Sequence, residues 1–186
     1  MVIKICGITR RGDAVAAAEA GASALGFIFY RESPRYVTPE KASELGDGLP
    51  VWKVGVFVDE TPAAIEAVMR AARLDIVQIY GDAAPAGARV WRAFRVGDRL
   101  DRSLAHGVEA VLLDGASNGS SFDWRIARCA AEKVIVAGGL DASNVAEAIR
   151  TAQPWGVDAS SRLESAPGIK DHEKIRAFVK AALETS

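Results

Sequence analysis

The ten residues Met1-Val-Ile-Lys-Ile-Cys-Gly-Ile-Thr-Arg10 decide how the rest of the chain is organised. Residues 2–6 are mostly apolar and β-branched and are followed by a glycine, so they predict a buried strand that ends in a turn. Because side chains alternate along a strand, Lys4 and Cys6 share one face. Cys6 also stands at the carboxyl end of the strand, where parallel α/β proteins bind their ligands. We therefore expect the chemistry of the molecule at this end.

Composition excludes several classes of protein. The 186 residues are 49% hydrophobic and 25% charged, which is ordinary for one globular domain. A formal net charge of −1 provides no basic field for nucleic acid or an anionic membrane. Two cysteines, Cys6 and Cys129, allow at most one disulfide and fit a reducing compartment. With no leader-like segment and no apolar run of about 20 residues, we expect a cytoplasmic protein that binds neither membrane nor nucleic acid.

Eight short apolar runs alternate along the chain with segments of helical pattern. Strands are predicted at residues 2–6, 24–30, 51–58, 75–79, 90–96, 109–114, 133–137 and 155–159. Continuous apolar strands indicate a parallel sheet that is covered on both faces. Eight strand–helix units close into a (β/α)8 TIM barrel, an α/β fold, here as a single domain over residues 1–186 with short loops. A doubly wound open sheet is the structural alternative.

Caps and turn residues predict where the connecting segments become helical. Thr9 is expected to cap a helix over the alanine-rich residues 13–20, and Thr38 precedes a proline at the first position of the next helix. A short helix is predicted around residues 83–88. Residues 97–106 are predicted to form a weak helix or a loop, because they show little periodicity.

Two titratable groups stand at strand ends and are candidates for acid–base chemistry. Cys6 ends the first predicted strand and Asp114 ends the sixth, so they are expected to face each other across the mouth of the barrel. A thiol with a pKa of about 8.5 can act as a base if its pKa is modestly lowered, and a carboxylic acid opposite it can donate a proton. Lys4 is expected to favour the thiolate and to pair inside the barrel with Asp158 on the eighth strand, which would blunt that effect. The alternative is that the cysteine is an inert small hydrophobe and that the aspartate is a cap.

The last two predicted strands end in residues that suit an anion. Gly138-Gly139 lets the backbone approach a ligand, and the helix start that follows offers free N–H groups. Ser160-Ser161 adds hydroxyl and amide groups beside it, and loops after strands seven and eight hold phosphate in many barrels. Arg35, in the loop after the second strand, can hold a carboxylate with two hydrogen bonds, although a solvated loop charge is the alternative.

The ordered motifs of the chain resemble those of the phosphoribosylanthranilate isomerase family. The resemblance runs from Lys4 to His172 and rests on Lys4-Ile-Cys-Gly-Ile-Thr-Arg10, Gly26-Phe-Ile-Phe-Tyr30, Ser33-Pro-Arg-Tyr36, Gly55-Val-Phe-Val58, Val77-Gln-Ile-Tyr-Gly81, Leu112-Leu-Asp114, Phe122-Asp-Trp124, Gly138-Gly-Leu140 and Asp158-Ala-Ser-Ser161. It implies an Amadori rearrangement on a small phosphorylated substrate in tryptophan biosynthesis, without metal or cofactor, so that activity survives exhaustive chelation. It also implies roles for Cys6 as base, Asp114 as acid, Arg35 as carboxylate clamp, and Gly138, Gly139, Ser160 and Ser161 as the phosphate site.

Three positions depart from the family pattern. Tyr80 stands where histidine is usual, and Arg162 stands where glycine is common. The loop over residues 115–121 is shorter than usual. Another phosphosugar-processing barrel and a non-catalytic phosphate-binding barrel are the functional alternatives. The sequence leaves monomer and homodimer open.

Overall fold

Eight parallel strands pair in chain order and close into a barrel. The computed structural model describes residues 1–96, 106–115 and 121–186. The strands are β1 (Val2–Cys6), β2 (Ala24–Ile28), β3 (Trp52–Val58), β4 (Ile76–Tyr80), β5 (Val90–Arg95), β6 (Ala110–Asp114), β7 (Val134–Val136) and β8 (Gly156–Ala159). Parallel pairing of β1 with β8 closes the ring, with Lys4 opposite Asp158. The predicted barrel is thereby confirmed and the open sheet excluded.

Helices follow most of the strands and cover the barrel from outside. In the described part of the chain the α-helices are α1 (Arg11–Ala20), α2 (Pro39–Gly46), α3 (Pro62–Ala72), α4 (Val145–Ala152) and α5 (His172–Thr185). A 3₁₀ helix over Trp124–Cys129 leads into β7. No helix among the described residues is long and apolar enough to cross a bilayer.

Two local predictions about helices were wrong. Thr9 does not cap α1, since its hydroxyl donates to the carbonyl of Gly168 at 2.5 Å and the helix starts without a side-chain cap. Residues 83–88 are not helical. Pro85 and Gly87 interrupt this segment, which turns at residues 86–87 with Gly87 at φ 75°, and the Arg92 guanidinium holds the residue just before it by donating to the carbonyl of Asp82 at 2.9 Å. The prediction for residues 97–106 lies, apart from its last residue, outside the described residues.

Strand alternation separates two apolar layers. Ile3 and Ile5 belong to the cluster between the sheet and the helices, whereas Val2 belongs to the cluster inside the barrel. The inner cluster contains Trp91, which meets Trp52 and Trp155 edge-on. Lys4 and Cys6 therefore point inward, as their spacing from Val2 requires.

A small hairpin follows the barrel and was not predicted. Strands β9 (Glu164–Ala166) and β10 (Ile169–Lys170) pair antiparallel between β8 and α5. Their outermost residues, Glu164 and Lys170, are both buried. The hairpin thereby brings two charged side chains against the carboxyl end of β8.

Candidate active site

The carboxyl ends of the strands surround a cavity of about 330 Å³, called here the mouth cavity. Its titratable side chains include Cys6, Arg35, Tyr80, Arg95, Asp114 and Asp158. Its wall also includes Gly138, Gly139, Ser160 and Ser161. All seven residues selected from the sequence thus border one cavity, although they come from β1, β6 and the loops after β2, β7 and β8.

Cys6 is a free thiol at the end of β1 and is only 6% exposed. The strand pairing sets Gly26 beside it, and a Cβ at that glycine would come within 2.7 Å of the sulfur. A side chain on β2 would therefore displace the thiol. Burial raises the pKa of Cys6, and the attraction of Lys4 only partly opposes this. Desolvation is thus the larger effect, and the attraction of Lys4 does not produce the modest lowering that would favour a base near neutral pH.

Lys4 and Asp158 form an ion pair inside the barrel. Nζ donates to Oδ2 at 2.8 Å, and the lysine is completely buried. Burial works against the charged lysine, but the attraction of Asp158 and of Cys6 outweighs it, so the pKa of Lys4 is raised. The predicted pairing is confirmed.

Two acceptor atoms beneath the mouth cavity have no hydrogen-bond partner among the described residues. They are Oδ1 of Asp158 and Oε1 of Gln78, and both are buried. Both residues line the mouth cavity. Because a buried acceptor without a partner is unfavourable, these atoms suit a ligand that brings hydroxyl groups. Gln78 was not among the predicted site residues, although a glutamine inside an otherwise apolar strand is a signal that could have found it.

Asp114 ends β6 and borders the mouth cavity with its carboxyl group half-buried. Burial raises its pKa, although hydrogen bonds from the Tyr80 hydroxyl and from the backbone N–H of Gly115 act in the opposite direction. The carboxyl therefore keeps its proton to a higher pH than an aspartate in water does. In the sequence, Tyr80 was identified only as a departure from a family pattern. Its contact with Asp114 was not predicted, because the contact depends on the pairing of strands that are distant in sequence.

Arg35, in the loop after β2, is held by Glu164, which was not predicted as its partner. Its Nε and Nη2 donate to the two carboxyl oxygens of Glu164, each at 2.7 Å. Ser33 supports the loop by accepting from the Arg35 backbone N–H at 3.1 Å. Arg35 is therefore a fixed cation at the edge of the mouth cavity rather than a solvated loop charge.

Glu164 joins Arg35 to a second buried cation. Lys170, whose side chain is fully buried, donates to Glu164 Oε1 at 2.8 Å and to the carbonyl of Ser160 at 3.1 Å. Burial favours the neutral acid, but hydrogen bonds from Arg35 and Lys170 outweigh it, so the pKa of Glu164 is lowered. Two positive and one negative charge leave a surplus positive charge beside the loop that follows β8. An anion is favoured there.

The loops after β7 and β8 present backbone to the mouth cavity. Gly138 and Gly139 have φ of 85° and 64°, a left-handed conformation that favours glycine. Asn144 donates to the Gly139 carbonyl at 2.8 Å, and the Ser160 hydroxyl donates to the carbonyl of Cys6 at 3.1 Å. The first contact holds the loop after β7 against the start of α4, and the second holds the loop after β8 against β1.

The start of α4 does not take the predicted position. The helix begins only at Val145, and between β7 and α4 the residues that border the mouth cavity are 137–140. The backbone of the two glycines therefore faces the cavity in place of the helix start. Arg162 lines the same wall and lies 4.0 Å from Asp141.

Known proteins resemble this chain in both fold and sequence. Phosphoribosyl anthranilate isomerase from Thermus thermophilus superposes with a TM-score of 0.91 at 34% identity, with full coverage of both chains. A phosphoribosyl anthranilate isomerase solved in complex with reduced 1-(o-carboxyphenylamino)-1-deoxyribulose 5-phosphate superposes with a TM-score of 0.87 at 38% identity, covering 99% of this chain and 100% of that one.

Sequence comparison gives the same family. N-(5'-phosphoribosyl)anthranilate isomerase of Solibacter usitatus is 48% identical in an alignment 194 positions long, which covers 98% of this chain and 97% of the relative. The family model described as N-(5'phosphoribosyl)anthranilate (PRA) isomerase matches residues 3–181. The chain belongs to the N-(5'-phosphoribosyl)anthranilate isomerase family.

Proposed function

We propose that residues 1–186 act as a single catalytic domain in which Asp114 is the general acid and Cys6 the general base of this family's isomerisation. The reaction is the Amadori rearrangement of N-(5-phosphoribosyl)anthranilate to 1-(2-carboxyphenylamino)-1-deoxyribulose 5-phosphate in tryptophan biosynthesis. The observation that carries the proposal is that the thiol and the carboxyl group line the same cavity. The roles of both groups follow from the chemistry of the two steps.

In the first step the ribose ring opens. Asp114 transfers its proton to the ring oxygen while the bond from that oxygen to C1 breaks. The lone pair of the anthranilate nitrogen moves into the C1–N bond, which gives an iminium ion and a free hydroxyl group. An acid that keeps its proton near neutral pH suits this step, and burial raises the pKa of Asp114 in that direction.

In the second step C2 loses its proton. The thiolate of Cys6 takes the proton, the electrons of the C2–H bond form a C1=C2 double bond, and the electrons of the C=N bond return to nitrogen. The enolamine becomes the ketone when the C2 hydroxyl loses its proton and C1 gains one. Atoms and charge balance, as an isomerisation requires. Lys4, which lies beneath Cys6 on the same face of β1, stabilises the thiolate.

Binding is proposed to use the two ends of the mouth cavity. Arg35 binds the anthranilate carboxylate through the N–H groups that Glu164 leaves available, since a guanidinium has five. Gly138, Gly139, Ser160 and Ser161 bind the phosphate. The unpartnered acceptors of Gln78 and Asp158 accept from sugar hydroxyl groups between these ends. Because one chain carries every proposed role, the same site serves a monomer or a homodimer.

Replacement of each proposed catalytic residue tests the proposal. Cys6→Ala and Asp114→Asn are each expected to lower kcat by roughly 10²- to 10⁴-fold, the usual contribution of a general base or acid. Loss of substrate fluorescence measures turnover. Cys129→Ala, which changes the other cysteine, and Asp47→Asn, which changes an aspartate that is 74% exposed, serve as matched controls and are expected to retain activity. Near-normal turnover in either catalytic variant would remove that residue from the mechanism.

A further inference from the structure

The proposed acid has one side-chain hydrogen-bond donor among the described residues. The Tyr80 hydroxyl donates to Oδ2 of Asp114 at 3.0 Å. The two residues are 34 positions apart and end two different strands, β4 and β6. Tyr80 also lines the mouth cavity, so its hydroxyl lies at the place where the proposed proton transfer begins.

The tyrosine is itself held in place. Strand pairing aligns it with Val58 on β3, and the Arg95 guanidinium lies 5.9 Å from the centre of its ring. Burial, followed by the nearby Asp114 charge, raises the pKa of Tyr80 well above its ordinary value. The hydroxyl therefore keeps its proton to a higher pH than an ordinary tyrosine does, and it remains a donor towards the carboxyl.

The remaining charges around Asp114 cannot replace this hydrogen bond. They come from three other strands, and they are Lys4, Arg95 and Asp158. Lys4 Nζ donates to Oδ2 of Asp158 at 2.8 Å, and Arg95 lies against the ring of Tyr80. Both cations act on the carboxyl through space, whereas the tyrosine fixes one particular oxygen.

We propose that Tyr80 is a positioning residue for the acid, because its hydroxyl donates to Oδ2 and so holds the carboxyl group in one orientation at the wall of the mouth cavity. After transfer, the same hydrogen bond stabilises the carboxylate that remains, since an anion accepts more strongly than a neutral acid. The substrate thus meets an acid held in one orientation, and proton transfer leaves on Asp114 a negative charge that the tyrosine hydroxyl already solvates. This inference rests on the proposed role of Asp114.

The pH profile shows how the hydrogen bond acts on the acid. Asp114 must be protonated and Cys6 deprotonated, and burial raises the pKa of both groups. With the thiol titrating above the carboxyl, kcat/KM rises with pH up to the pKa of Asp114 and stays level until the pKa of Cys6. The bend on the acidic side therefore reports Asp114. Loss of a bond that favours the carboxylate moves this bend to higher pH.

Tyr80→Phe tests the proposal, with Tyr30→Phe as the matched control. Tyr30 also lines the mouth cavity, but its hydroxyl donates to Glu32 at 2.5 Å and not to Asp114. We expect Tyr80→Phe to lower kcat roughly tenfold and to move the acidic bend to higher pH, the loss reflecting one hydrogen bond to a charged group. Tyr30→Phe is expected to leave the bend unchanged.

Carbon-detected NMR titration of Asp114 in the free protein separates this inference from the proposed function. The carboxyl of Tyr80→Phe is expected to titrate at higher pH than that of the wild type, whatever the activity. An unchanged Asp114 titration and an unchanged acidic bend in Tyr80→Phe would overturn the positioning role, because a purely structural loss lowers activity equally at all pH values. If Asp114→Asn remained active while the titration shifted, the acid assignment would fail although the coupling between Tyr80 and Asp114 stood.

Discussion

At the residue scale, burial and a neighbouring charge act in opposite directions on the thiol of Cys6. The lysine beneath it favours the thiolate, but Cys6 is so little exposed that desolvation is the larger effect and raises its pKa. Only a minor fraction of the free enzyme therefore carries the proposed base in its active form at neutral pH. The acid differs, since the same burial helps Asp114 to keep the proton that it must donate.

This balance predicts the titration of the thiol. In a Cys129→Ser background, which leaves Cys6 as the only cysteine, thiolate absorbance near 240 nm is expected to rise at a higher pH than that of a cysteine in water. Adding Cys6→Ser to the same background provides the baseline. A midpoint at or below that of a free thiol would mean that the attraction of Lys4 outweighs burial, contrary to what we expect.

At the element scale, the hairpin of β9 and β10 holds Arg35, the proposed carboxylate clamp, through Glu164. Glu164 bonds to Arg35 and to the fully buried Lys170, and Lys170 also reaches the carbonyl of Ser160. One short element thus joins the loop after β2 to the loop after β8. The hairpin is a separate sheet outside the ring of paired strands, but it contacts both proposed binding loops.

Loss of the Glu164 charge is expected to destabilise the protein. Glu164→Gln leaves Lys170 buried without its counterion, and breaking a buried pair in this way costs about 3 kcal/mol. The pKa of Glu164 is lower in the folded than in the unfolded protein. The Glu164 carboxylate therefore contributes its full stabilisation above its pKa in the unfolded protein, and this contribution is lost as the pH falls through its pKa in the folded protein. Urea denaturation at neutral and acidic pH measures both effects. The exposed pair partner Glu44 gives the control Glu44→Gln, which is expected to change stability by less than about 0.5 kcal/mol. Equal stability of the two variants at neutral pH would contradict the prediction.

The sequence predicted the strands better than the contacts between them. The strands were predictable because continuous apolar runs require a sheet covered on both faces, and Cys6 and Asp114 were found because each directly ends such a run. Glu164 and Tyr80 were missed as partners. Their contacts span 129 and 34 residues and depend on where the closed sheet sets its strand ends, which local pattern does not encode.

At the scale of the whole molecule, the ring closes where the first strand meets the last. The Lys4–Asp158 pair lies at this junction and joins residues 154 positions apart in the chain. Two costs determine how much the pair contributes to stability. Taking both charges out of water is unfavourable, whereas leaving either one buried alone is worse. We therefore expect the free energy of unfolding to fall mainly when only one member of the pair is replaced.

A double-mutant cycle on this pair tests that expectation. Lys4→Met is expected to lower the free energy of unfolding by about 3 kcal/mol, because it leaves Asp158 buried and unpaired. The loss should be smaller at pH 5 than at pH 8. An unpaired buried carboxyl has a raised pKa, so at low pH it is neutral and its burial costs little. At higher pH the proton must be lost or held against its pKa, and the cost of burial rises. Lys4→Met combined with Asp158→Leu is expected to recover most of the stability. On α3, Arg70→Met breaks the exposed pair with Glu66 and should cost less than about 1 kcal/mol. If the losses of the two single variants simply added in the double variant, the lysine and the aspartate would not be coupled, and strand pairing and apolar packing would hold the barrel closed without a contribution from the ion pair.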